Sequence, residues 1–138
     1  MIDDLLNDLK REEGWRSKPY RDHLGFLTIG YGFLIDERKD VELPQSVGDL
    51  WLEHVATEKW LEIRDRFPWL AAQPEDVQRA IAQMAYQLGV NGVARFRNML
   101  DSLESGDRQA AAEHALDSTW AKQTPERASR VAALIRGS

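Results

Sequence analysis

The sequence contains no cysteine, which excludes disulfides, thiolate metal sites and a cysteine nucleophile. No apolar run approaches the ~20 residues that a membrane-spanning helix needs, so no membrane insertion is expected. Positive charge is in deficit: 18 Lys and Arg face 23 Asp and Glu, a net charge of -5. A general phosphate-backbone binder needs a basic surface, so nucleic acid is not an expected partner. Histidine is scarce, and His23, His54 and His114 lie too far apart for metal-ligand spacing. None of the serines stands in a nucleophile elbow. Gly30 and Gly32 form only Gly-x-Gly, without the third glycine and helix start of a dinucleotide fingerprint. No cofactor and no metal are therefore expected. The opening residues Met1-Ile2-Asp3-Asp4-Leu5-Leu6 are acidic, the reverse of a basic signal segment, and predict synthesis in a cytoplasm. What is present is ordinary for a folded chain: 138 residues, 43% hydrophobic and 30% charged.

Apolar periodicity then divides the chain. Leu5, Leu6 and Leu9 have helical spacing, and Gly14 follows as a stop, which predicts an amphipathic helix over residues 2–14. Phe26-Leu27-Thr28-Ile29 and Tyr31 to Ile35 are β-prone runs punctuated by glycines, and predict a small antiparallel hairpin or meander. Residues 36–40 read as a charged turn. A long helix follows over about Ser46 to Arg66, ended by Pro68. Pro74 opens the next helix and Gly89 closes it. Three short helices are expected after that: one from Asn91-Gly92 to Gly106, one capped by Asp107, and one starting at Thr124-Pro125. The fold class is thus α+β, mostly helical, with one small sheet near the N-terminus. Trp51, Trp60 and Trp69 read as core or lobe packing.

With nucleophile and cofactor chemistry unsupported, the remaining candidates are carboxylates. Glu13 ends the first helix, and Asp22 lies at the mouth of the hairpin. Two carboxyls facing one cleft can cleave a glycosidic bond, one as acid on the leaving oxygen and the other on the attacking water. Taken alone, a solvated surface explains such a pair better.

The surrounding residues add more. Glu13-Gly14-Trp15-Arg16, then Tyr20-Arg21-Asp22, then Gly25-Phe26-Leu27-Thr28-Ile29-Gly30-Tyr31-Gly32 resemble the phage-type lysozymes, a glycoside hydrolase family. The segments Ala85 to Phe96 and Ser118 to Ala128 resemble that family's C-terminal lobe in the same order. The resemblance covers residues 5–35 and 75–136. It implies one lysozyme-like domain over 1–138, two-lobed, with a β-containing lobe at about 14–45 and a joining helix at about 46–66. The helical lobe would be about 67–138 plus helix 2–13.

The resemblance also implies roles. Glu13 would be the general acid, Asp22 would assist water attack, and Thr28 would help hold the water. The substrate would be the β-1,4 bond between N-acetylmuramic acid and N-acetylglucosamine in peptidoglycan, cleaved with inversion. Arg127 matches a family arginine that pairs with the acid, while Gln87, Phe96 and Trp120 fall on segments near the saccharide groove. For Phe96 and Trp120 a place in the core is an equal reading. The function so implied is a monomeric endolysin, a muramidase that reaches the host wall through a membrane hole. Two alternatives stay open: a lysozyme-like module that binds peptidoglycan without cleaving it, and a lytic transglycosylase that releases a 1,6-anhydro product.

Overall fold

A computed structural model describes residues 1–137, which form two compact units, Met1–Val47 and the remainder from Gly48 onward. The first begins with α1 (Ile2–Glu13). Asp3 and Asp4 in its first turn and Lys10 and Arg11 in its last complement the helix dipole. Gly14, at φ 70°, then turns the chain out of the helix.

Three strands follow, β1 (Arg16–Arg21), β2 (Leu27–Gly30) and β3 (Phe33–Leu34), in an antiparallel meander of order β1-β2-β3. Tyr20 pairs with Thr28, Arg21 with Leu27, and Ile29 with Phe33. The sequence reading placed strands only from Phe26 onward. β1 escaped it because Arg16-Ser17-Lys18-Pro19-Tyr20-Arg21 is a polar, exposed edge strand without apolar alternation. Its register shifts between Arg16 and Tyr20, the irregular stretch that accommodates Pro19, which has no N–H for a ladder.

The boundary between the units falls within α2 (Gln45–Arg66). In the second unit Pro68 opens a short 3₁₀ turn, Pro68–Ala72, followed by α3 (Glu75–Ala94). Gly89, at φ 75° and ψ 167°, breaks α3 and leaves a short turn of helix beyond it. The helix expected from Asn91 to Gly106 is therefore two pieces. The piece ending at Ala94 is separated by Arg95 and Phe96 from α4 (Arg97–Glu104).

Asp107 caps α5 (Arg108–Leu116) by accepting from the Ala110 N–H. A helix absent from the sequence reading, α6 (Thr119–Gln123), is capped by the Ser118 hydroxyl. Thr124 precedes α7 (Pro125–Arg136) but does not cap it; its hydroxyl donates back to the Trp120 carbonyl.

The core of this unit gathers Ile63, Leu70, Val77, Ile81, Met84, Val93, Met99, Leu103, Val131 and Ile135. Ala111, Ala112, Ala115, Ala128 and Ala132 are buried too, and their small side chains let α5 and α7 approach closely. Trp60 and Trp69 pack against this core, whereas Trp51 is 57% exposed, contrary to the packing role expected for it. Arg108 closes the unit. Its guanidinium donates to the carbonyls of Leu134 and Ile135 and pairs with Asp76 at 2.7 Å. Two carbonyls in the last turn of α7 that lack a helical partner thereby gain one.

Candidate functional site

In the first unit the candidate residues sit on the helix end and on the sheet. Glu13 is the last residue of α1, and its carboxyl lies against the β2–β3 turn: a methyl placed on Gly32 would stand 2.9 Å from Glu13 Oε2. Trp15 and Tyr31 flank this end of the sheet with ring centroids 5.0 Å apart.

Asp22 follows β1 and organises the β1–β2 turn. Its Oδ1 accepts from the N–H of Leu24 at 2.9 Å and of Phe26 at 2.8 Å. That Asx arrangement commits one carboxylate oxygen to the backbone and leaves Oδ2 outside the turn. Thr28, on central strand β2, is 2% exposed, and its hydroxyl donates to the Phe26 carbonyl at 3.0 Å. The Asp22 N–H donates to the same carbonyl at 2.9 Å. One backbone oxygen thus ties together two of the residues singled out from the sequence. Since the Thr28 proton is given to Phe26, the hydroxyl's remaining capacity is to accept.

Sequence reasoning missed Asp36, which was read as part of a charged turn. Among the described residues, only Thr28 and Asp36 are buried polar side chains. Asp36 is 6% exposed and accepts from the Leu27 N–H at 2.8 Å and from Arg38 Nε and Nη2, each at 2.7 Å. Arg38 also donates to the Gly25 carbonyl and lies 4.5 Å from the Phe26 ring centroid. The clasp engages Gly25, Phe26 and Leu27, three of the five residues between Asp22 and Thr28. The available signal was Asp36 directly after the apolar Phe33-Leu34-Ile35 run, with an arginine two residues on.

The Arg38 guanidinium, followed by the Leu27 and Arg38 backbone N–H groups, holds the Asp36 carboxyl well below the usual carboxylate range. A depressed folded value means that this stabilisation is fully present above the unfolded value of about 3.9. It is lost as pH falls through the folded one. Asp36→Asn is therefore expected to lower the urea midpoint at neutral pH, and the gap to the parent should narrow as pH drops below about 4. A gap that stays constant across that range would mean the charge of Asp36 contributes nothing.

In the second unit the structure brings together three residues predicted from two separate segments. Gln87 lies two residues before the Gly89 break, and its Oε1 accepts from Trp120 Nε1 at 2.9 Å. The Phe96 ring meets Trp120 edge-on with centroids 5.9 Å apart. Trp120 is only 6% exposed and belongs to the core, yet it borders an open cavity of about 620 Å³ with Phe96, Arg95, Asn98 and His114. Gln87 does not line that cavity; its amide supplies the partner that a buried indole N–H requires. Arg127 is half-buried on the first turn of α7. Among the described residues no group of three His, Asp or Glu is placed to hold a metal ion.

Comparison with known proteins gives a consistent set of likenesses. The family model described as Phage lysozyme matches residues 10–136. The pre-baseplate central spike protein Gp5 of Enterobacteria phage T4 is 34% identical over 92% of this chain. The chain spans 26% of that protein's length. Two proteins of Dictyostelium discoideum match nearly end to end. Probable T4-type lysozyme 1 is 28% identical over 98% of this chain and 95% of its own length. Probable T4-type lysozyme 2 is 27% identical over 95% and 92%.

Proposed function

The chain belongs to the phage lysozyme family, which makes it an enzyme of the muramidase type, and from that premise we propose a specific reaction. It hydrolyses the β-1,4 bond between N-acetylmuramic acid and N-acetylglucosamine in peptidoglycan, with inversion at the anomeric carbon. Glu13 protonates the leaving oxygen as the general acid. Asp22 takes the proton of the attacking water through Oδ2, and Thr28 accepts a second hydrogen bond from that water.

The observation that carries this reading is the shared Phe26 carbonyl, which accepts from the Asp22 backbone N–H and the Thr28 hydroxyl and so ties the residue after β1 to the one on β2. Gln87, Phe96 and Trp120 serve saccharide binding, with Gln87 acting through Trp120, and Arg127 is assigned the partner role that the family resemblance gives it. The protein's use is lysis of a bacterial host wall. The likeness to Gp5 supports a second setting for the same chemistry, as a module of a phage particle; detection of the chain in purified particles would select that setting.

Mass spectrometry of digested peptidoglycan tests the reaction. Fragments ending in a hydrated, reducing muramic acid are expected. A 1,6-anhydro end would make the chain a transglycosylase, and undigested wall with retained binding would make it a non-catalytic module.

A further inference from the structure

Among the described residues seven glycines have positive φ, but their surroundings differ. Around Gly14, Gly25, Gly89 and Gly106 an added Cβ would meet nothing within 4 Å. At Gly30 and Gly137 it would press on Phe33 and on Arg108 respectively. Gly32 is the one whose added Cβ would meet a carboxylate, 2.9 Å from Glu13 Oε2 and 3.7 Å from Glu13 Cδ. The Glu13 carboxyl thus occupies the space that any side chain at position 32 would need.

We propose that Gly32 is a positioning residue for the catalytic acid: its bare Cα is the floor against which the Glu13 carboxyl is held. The inference rests on the acid role given above to Glu13. Its physical basis is that a glutamate at a helix end has three rotatable bonds and no neighbouring turn beyond it to confine them. The β2–β3 turn supplies the confinement, and a left-handed turn built on glycine lets backbone approach the carboxyl without an intervening methyl. Displacing that carboxyl costs the fold a modest but measurable amount, because the obstacle is the end of a flexible side chain. It is costly for proton transfer, where a misplacement of ~1 Å loses on the order of 10²-fold in rate.

The test compares Gly32→Ala with Gly106→Ala, since Gly106 has φ 87° and open space. Both carry the burden of a non-glycine at positive φ, but only the first meets Glu13. Gly32→Ala is expected to lose about 10²-fold in kcat at equal folded fraction, with KM unchanged, whereas Gly106→Ala keeps its kcat. A melting-temperature cycle gives a readout independent of chemistry: the loss caused by Gly32→Ala should shrink when Glu13→Ala is also present. If Gly32→Ala alone does not fold, recovery of folding in the double variant supports the contact, and failure of both overturns it. Unchanged kcat in Gly32→Ala, or a melting loss independent of Glu13, overturns the proposal. A Glu13→Gln variant that still cleaves would instead overturn the acid role while leaving the contact measurable in the cycle.

Discussion

Glu13→Gln is expected to lower kcat by about 10²–10⁴-fold, the span that general acid catalysis contributes. Glutamine has the shape of the protonated acid and can still donate a hydrogen bond to a glycosidic oxygen, but it cannot surrender a proton as the bond breaks. The substitution should leave the fold intact. Glu13 is exposed at the end of α1, whose closing backbone bond runs from the Gly14 N–H to the Lys10 carbonyl and does not involve the side chain. Reducing ends released from purified peptidoglycan measure the rate, and a thermal melt confirms equal folding. A rate within about 10-fold of the parent would place the acid elsewhere in the chain.

Asp22→Asn is expected to cost less than Glu13→Gln and still fall within the range of roughly 10²-fold and above. Asparagine keeps a carbonyl oxygen where Asp22 Oδ1 accepts from Leu24 and Phe26, so the turn survives. What goes is the ability of Oδ2 to take a proton from water, while Thr28 remains to hold that water. A second measurement, on the parent enzyme, settles the stereochemistry. An inverting pair leaves room for a water between carboxyls about 6.5–9.5 Å apart, whereas a retaining pair stands closer and forms a glycosyl-enzyme bond. Proton NMR of the first reducing ends, recorded before mutarotation, should show the α anomer. A β anomer would make Asp22 a nucleophile and remove the water-holding role from Thr28.

The features legible in the sequence were those marked by strong punctuation. Gly14 after the Leu5-Leu6-Leu9 stripe located the end of α1, and Gly89 located the break in α3, since each needs a φ that other residues resist. Asp107 announced its cap. β1 was illegible for the opposite reason: an exposed edge strand interrupted by Pro19 has neither alternation nor apolar content to betray it. α6 was hidden by its brevity, five residues held by one serine cap.

At the site, the resemblance to the phage-type lysozymes pointed to Glu13, Asp22 and Thr28, and its Ala85–Phe96 and Ser118–Ala128 segments pointed to Gln87, Phe96 and Trp120. The contacts behind them were not readable. That Asp36 is buried, that Gln87 serves the Trp120 indole and that Gly32 abuts Glu13 are consequences of chain folding rather than of composition. An acid followed by charged residues looks the same in a solvated loop as in the Asp36–Arg38 clasp.

The ties within the sheet also have a kinetic consequence. Arg16 pairs with Gly30, and Arg38 reaches back 13 residues to Gly25, so every closure that assembles the β1–β3 meander is short. The contact between Gln87 and Trp120 instead spans 33 residues, and Arg108 reaches 27 residues ahead to Ile135. Loop-closure entropy grows with the length enclosed, and hairpins form in roughly 1–10 μs. A momentary opening of the meander therefore heals by local search on that timescale, restoring Asp22 and Thr28 to the Phe26 carbonyl. The indole clamp must wait for distant segments to find each other, which makes it the slower of the two arrangements to regain.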